Sequence, residues 1–420
     1  MAAPVAPDDV VDVALLKDEG GGLLYEEGIT TITFYRGDFG SAKDALRAQL
    51  GVVVAANPWL TGRLVKSKTG VSLRHSPSPS VDSVDAIFDA EQGLGVDLDW
   101  ASATYAEVCT ALHTKPKAPA KRAIIGSGTS LVGKDEPVAR LTLAEAAPGE
   151  FALVWSLSHA VGDGRTYYEI FSMLRPGAPV RALSSARVQS FSEAMRDMCN
   201  REALTWADKP WTAVMYMSTM AFNGPATCRA FYLDDERVAA FKTKGAADGG
   251  VPYVTTNDLL TSGFFTVTGA RIGMMGLDCR GRVEGVGADL AGNYVTALVL
   301  DDTVFETPAA LRRMYASTPY ATTGRKLPSC CCGGEARFAM ATNWSSFADP
   351  FALEGCEMRV HLPVKNPAHC VFDLMIPFAA GGGRKGVICW TLGADEAALR
   401  EALPIGASVS DVLFPAAAST

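Results

Sequence analysis

Residues 150–174 read EFALVWSLSHAVGDGRTYYEIFSML, and the spacing of their apolar side chains changes once. A mostly apolar run, unbroken from Phe151 to Trp155, fills 150–158 after the turn signal Pro148-Gly149, whereas Tyr167, Ile170, Phe171 and Leu174 fall at i, i+3, i+4 and i+7. The first pattern is that of a buried strand and the second that of one helical face. The polar knot between them, His159 to Arg165, is therefore a strand-to-helix turn. The run 138–145, on the other side of Pro148-Gly149, makes the strand one arm of an antiparallel hairpin.

Similar signals recur along the chain. ITTITFYRG (29–37) is β-rich, 41–58 is helical until Pro58, and 62–76 reads as a hairpin turning at Thr69-Gly70. The second half repeats the mixture, with helices near 191–206, 235–247, 255–269 and 394–403. Strands are expected at 226–234, 271–280 and 294–301, with four further apolar runs at 336–344, 356–362, 369–378 and 386–393. The class is α/β, with mixed sheets and flanking helices. A chain of 420 residues exceeds what one core organises. RPGAPVRALSSARVQ (175–189) has no apolar period and is rich in Pro, Gly, Ser and Ala. Two lobes are expected, 1–178 and 191–420, joined by a linker at 179–190.

Composition excludes several functions. Lys and Arg total 38 against 46 Asp and Glu, a net charge of −8 and the wrong sign for a general nucleic-acid binder. No stretch approaches the roughly 18 consecutive apolar residues of a membrane span. The N-terminus resembles neither a secretory signal nor an Arg-rich transit peptide, so a cytoplasmic location is expected. Ten irregularly spaced cysteines fit reduced thiols. Cys330, Cys331 and Cys332 are adjacent, lack C-x-x-C spacing, and read as a loop of free thiols. The five histidines form no HExxH or H-x₃-H pair.

Other motifs fail on context. The DFG at 38–40 has no glycine-rich loop or HRD stretch, 126–133 and 285–292 lack nucleotide-loop spacing, and no G-x-S-x-G elbow exists. The knot remains. Asp163 there is suited to cap the following helix, Gly162 and Gly164 to permit the turn, and His159 to end the strand. A neutral imidazole at that position can also take a proton from a hydroxyl or amine near pH 7, its ordinary pKa being about 6.5.

HAVGDG (159–164) resembles the HxxxDG signature of the chloramphenicol-acetyltransferase-like acyl-CoA-dependent acyltransferases, and more closely their BAHD branch. Ser158 stands where peptide-synthetase condensation domains usually carry a second histidine. NPWLTGRL (57–64) is similar to the family's P-L-x-G-R-L, TTNDLL (255–260) to its helix after the linker, and LDCRGR (277–282) to its V-D-x-R-x-R strand. AGNYV (291–295) is similar to its F-G-N segment and TNWSSF (342–347) to its T-S-W-x-x-L. The D-F-G-W-G that follows in plant members is missing.

The resemblance implies two chloramphenicol-acetyltransferase-like lobes with an active-site tunnel between them. It makes His159 a general base that activates the acceptor with no acyl-enzyme, and pairs Asp163 with Arg280 beside Asp278. Gly164 would leave room for the packing that orients His159. Thr342 and Trp344 become candidates for the oxyanion, Thr342 being equally suited to a strand hydroxyl bonded to a carbonyl. Arg384 and Lys385, with KPKAPAKR (115–122), are candidates for the CoA phosphates, or are solvated turns. No cofactor is expected to stay bound; acyl-CoA is the co-substrate and a small alcohol or amine the acceptor of a monomeric enzyme. A non-catalytic scaffold of the same fold, or transfer from a carrier protein, is the alternative.

Overall fold

The computed structural model describes residues 10–21, 27–68, 70–91, 98, 103–114, 122–212, 214, 224–328 and 337–410. Cys330–Cys332 and residues 115–121 of the basic loop lie outside them. In chain order the strands are β1 (Val11–Ala14), β2 (Gly28–Arg36), β3 (Arg63–Ser67), β4 (Gly70–His75), β5 (Phe88–Glu91), β6 (Ala139–Ala147) and β7 (Glu150–Ser158). The second half supplies β8 (Thr227–Leu233), β9 (Ile272–Asp278), β10 (Val295–Asp301), β11 (Phe338–Ala341), β12 (Glu357–Val364), β13 (Asp373–Gly381), β14 (Arg384–Thr391) and β15 (Ile405–Ser408).

They form a five-stranded sheet, β12-β2-β7-β6-β5, a seven-stranded sheet, β10-β9-β11-β13-β14-β8-β15, and a small sheet, β1-β4-β3. Both large sheets are mixed: β5 runs parallel to β6, and β11 parallel to β9 and β13. One strand crosses between the halves. β12 pairs with β2 from Glu357 opposite Arg36 to Val364 opposite Thr30, so the first sheet is completed from the far end of the sequence.

Strand alternation sends neighbouring side chains to opposite faces. On β7, Phe151, Leu153, Trp155 and Leu157 pack under helices Phe39–Ala56 and Gly164–Met173, while Ala152 and Val154 join a second core. That second core also holds Ile32, Phe34, Ile376, Phe378, Ile388 and Trp390, and so lies between the two large sheets. Val387 and Cys389 face a third core, shared with Phe264 and Phe265 of helix Thr256–Val267. Burial on both faces explains why Phe151–Trp155 of β7 read as a continuous apolar run.

The helix expected over 191–206 is two, Phe191–Met198 and Arg201–Ala207. Asn200 breaks it with φ 61, a left-handed conformation that its short polar side chain tolerates, and that side chain caps Ala203. The segment 179–190 holds no strand or helix beyond the isolated bridge from Ser184 to Leu290. It is nevertheless fastened. Asn57 bonds the Leu183 amide and the Arg181 carbonyl, Tyr294 Oη accepts from the Val188 amide, and the buried Arg187 reaches back to the Val161 carbonyl.

Candidate functional site

β7 ends at Ser158, and His159 opens the turn that leads into helix Gly164–Met173. Asp163 is its N-cap: Oδ1 accepts the Thr166 amide at 2.9 Å. Oδ2 meets Arg280 Nη1 at 2.7 Å and accepts the Tyr294 amide at 2.9 Å. The two side chains are 3% and 2% exposed, so this is a buried pair. Arg280 is saturated. Its other bonds run to Asp278 Oδ1, Thr166 Oγ1, and the Gly292 and Leu290 carbonyls, and it stacks 5.2 Å from the centre of the Tyr294 ring. Asp278 also lies 3.6 Å from Arg165 of the helix. Both roles considered for Asp163, cap and counter-ion, are thus filled at once.

A second buried ion pair holds the opposite side of the turn. The Glu19 carboxylate accepts from Arg187 Nε at 2.7 Å, the Leu16 amide at 2.8 Å, and the amide and side chain of Asn293. Asn293 in turn donates to the His159 carbonyl at 2.6 Å. Neither Glu19 nor Arg187 carries a local sequence signal; only Asn293 sits in a recognisable segment.

His159 is partly accessible, while its Nδ1 is buried with no hydrogen bond of good geometry. The nitrogen left to meet a substrate is Nε2. Burial lowers the pKa of the ring below its ordinary 6.5, and the Lys365 ammonium lowers it further. The residue's own carbonyl, the Asp163 charge and Asn293 partly offset this. Neutral imidazole prevails at pH 7, the form that can accept a proton.

Gly164 departs from its expected part. A Cβ built there meets nothing within 4 Å, because the first helical residue directs it into open space. Gly162 is the crowded glycine: its Cβ would lie 2.8 Å from Thr166 Cγ2, and Thr166 is pinned by Arg280 and Gly292.

Thr342 and Trp344 continue along β13 after β11 ends, their amides bonded to the Met375 and Pro377 carbonyls. Trp344 packs against both the first and second cores and meets Tyr168 of the turn's helix edge-on, 6.3 Å between centres. The 342–344 strap therefore reaches the helix that follows His159. Tyr168 Oη lies 3.3 Å from Nε2 of the fully buried His361 on β12, whose Nδ1 bonds Thr33 Oγ1 at 2.8 Å.

The structure does not bring Arg384 and Lys385 to His159. Both are exposed at the start of β14, and Arg384 bonds the Arg359 carbonyl near Glu357, which lies opposite Arg36 and hence beside Glu150. That is the far end of β7, roughly 25–30 Å from Ser158 at strand rise. A cavity of about 340 Å³ lined by Thr266, Thr268, Arg337 and Asp395 is also remote, at the end of β11 opposite Thr342. Among the described residues no group of three or more His, Cys, Asp or Glu is arranged to hold a metal, all seven described cysteines are free, and no helix is long and apolar enough to cross a membrane.

The sequence matches no family profile, and no curated protein resembles it. Solved structures do resemble it in fold. The first condensation domain of the calcium-dependent antibiotic synthetase, in complex with a substrate analogue, superposes at TM-score 0.58 with 15% identity, covering 96% of this chain and 98% of that one. The trichothecene 15-O-acetyltransferase of Fusarium sporotrichioides gives 0.58 at 10% identity, over 98% and 96%. TRI101 of F. graminearum, complexed with coenzyme A and deoxynivalenol, gives 0.56 at 14%, over 93% and 97%. The fold is the chloramphenicol-acetyltransferase-like one. Within this fold the chain keeps two sheet-based lobes, with His159 at a strand end of the first and the Thr342–Trp344 strap rising from the second.

Proposed function

We propose that the chain is an acyltransferase that moves an acyl group from acyl-CoA to a hydroxyl or amine of a small acceptor. The observation that carries the proposal is His159: a partly accessible residue whose ring Nδ1 is buried, on a turn gripped by two buried ion pairs. A purely structural histidine needs no such support.

In the proposed reaction His159 Nε2 takes the acceptor proton as the acceptor oxygen or nitrogen attacks the thioester carbonyl. The tetrahedral intermediate collapses with cleavage of the carbon–sulfur bond, and the imidazolium returns its proton to the CoA thiolate. No acyl-enzyme forms. Thr342 is the proposed donor to the oxyanion; a single such donor is worth about 3–4 kcal/mol in other enzymes. Trp344 walls the site against Tyr168. Asp163, Gly164, Arg280 and Asp278 shape the turn and transfer no proton. Substrates are proposed to reach His159 between lobes 1–178 and 191–420, the 179–190 segment joining them and β12 bridging back. The basic groups that meet the CoA phosphates are proposed to lie outside the Arg384–Lys385 segment.

The likeness to a condensation domain favours one second reading, a donor carried by a carrier protein. Thiol release from a panel of acyl-CoAs, with and without candidate acceptors and against the same acyl groups on a carrier protein, tests both. Acceptor-dependent release from acyl-CoA supports the proposal. Release from the carrier alone moves the donor assignment, and no release from either with any acceptor favours the scaffold.

A further inference from the structure

Two backbone carbonyls of the His159 turn are held by side chains from distant parts of the sequence. Asn293 Nδ2 donates to the His159 carbonyl at 2.6 Å, and Arg187 Nη2 to the Val161 carbonyl at 3.1 Å. Both donors converge on one carboxylate. Glu19 Oε1 accepts from the Asn293 amide at 2.8 Å and from the same Nδ2 at 3.1 Å, while Oε2 accepts from Arg187 Nε at 2.7 Å and the Leu16 amide at 2.8 Å. The Glu19 and Arg187 side chains are 0% and 1% exposed, so water does not compete for these bonds. Neither partner is free to drift. Leu15 and Leu16 are buried and the Leu15 amide bonds the Val71 carbonyl of β4, which fixes the one-turn helix Lys17–Gly20 against the small sheet. Arg187 Nη1 is tied to the Ser185 and Ala291 carbonyls.

We propose that Glu19 is a positioning residue for the reaction, fixing the backbone at His159, and so the place of the imidazole, by holding Asn293 and Arg187 on the turn carbonyls. The proposal rests on the base role given to His159 above. Peptide planes are rigid, so clamping the carbonyls of residues 159 and 161 leaves the main chain between them little rotation. The Cα–Cβ bond of His159 is then aimed by the backbone, and a misplacement of about 1 Å at a reacting group costs on the order of 10² in rate. A glutamine could not do the same, because its NH₂ would face N–H groups that need an acceptor. The two buried ion pairs thus divide the turn. Asp163–Arg280 secures the helix cap, and Glu19 secures the end that bears the ring.

The test is a mutant cycle on the full-length protein. N293A removes the bond to the His159 carbonyl and leaves the Glu19–Arg187 pair intact; E19Q removes the shared acceptor, and either variant serves if the other does not fold. Each is expected to lower kcat about 10- to 100-fold with the acyl-CoA KM within about twofold of wild type, as for a misplaced reacting group. In the H159A background the same substitutions should cost nothing further, because a residue acting through His159 has nothing to position once the imidazole is gone. A merely structural role would instead add its loss to that of H159A. Equal losses in both backgrounds, or wild-type kcat in the folded variants, overturn the proposal. No turnover in wild type, or full turnover in H159A, ends the base assignment and this inference together, whereas turnover that needs His159 but neither Glu19 nor Asn293 ends this inference alone.

Discussion

Asp163 meets Arg280 at 2.7 Å with one carboxylate oxygen while the other caps the helix that follows His159. Asn at 163 keeps the cap, since Asn and Asp cap about equally well. It removes the charge, however, and leaves the buried guanidinium with only the more exposed Asp278 carboxylate at 3.0 Å as counter-ion, a loss approaching the roughly 3–5 kcal/mol seen where buried pairs are broken. D163N should therefore unfold at clearly lower urea concentration than wild type, with R280M similar and the double variant less than additive. A D163N midpoint equal to wild type would reduce the pair to a contact without consequence.

His159→Ala should lower turnover about 10²–10⁴-fold, the usual yield of general-base assistance. Acyl-CoA binding and thermal stability should survive. Because burial lowers the pKa of the ring, the neutral form persists below pH 6.5, and wild-type turnover should decline only at more acid pH. A pH profile already falling above 6.5 on its acid side would contradict this assignment.

The two glycines of the turn should behave oppositely. G162A drives a methyl into Thr166 and should cost about 1–3 kcal/mol, the usual range for overpacking. G164A meets open space and should melt like wild type. Loss of turnover in G164A without loss of stability would locate substrate beside that position; equal melts for the two variants would remove the steric distinction.

His361 supplies an acid-sensitive stability contribution. Its folded pKa is lowered to about 3 by burial, against 6.5 when exposed. Between those values the unfolded chain binds a proton that the native state refuses, so stability falls as pH is lowered from 6.5 to 3. Each tenfold step in proton affinity is worth about 1.4 kcal/mol, giving on the order of 5 kcal/mol at the acid end. H361Q should be less stable than wild type at pH 7.5, with the gap closing as pH falls toward 3. A gap independent of pH would show that the imidazole titrates normally.

Local pattern carried much of the fold. The change of period at 150–174, the hairpin at Pro148-Gly149 and the helix Asp235–Gly249 are visible because alternation and capping act over a few residues. The Asp163–Arg280 pair was legible through the resemblance, its partners lying 117 positions apart. The roles of the two glycines were not, since the direction of an absent Cβ depends on backbone angles that HAVGDG does not state. Arg187 read as part of a loose linker; its partner Glu19 is 168 positions away in an unremarkable KDEG. The segment carrying Arg384 and Lys385 was expected where it is in sequence, but its distance from His159 follows from sheet order, which no local spacing records.

β12 has a consequence for how the molecule is made. Thr33 and His361 are bonded across 328 positions, and the ribosome supplies β2 long before the strand that covers its edge. Until residue 364 emerges, the N-terminal sheet presents an open, largely apolar edge at β2, the kind of template that invites pairing with other chains. Closing so long a loop is entropically slow, which makes this a late step in folding. The first lobe to be synthesised is thus among the last to be finished, and nascent chains stalled before β12 are where chaperone dependence and aggregation should concentrate.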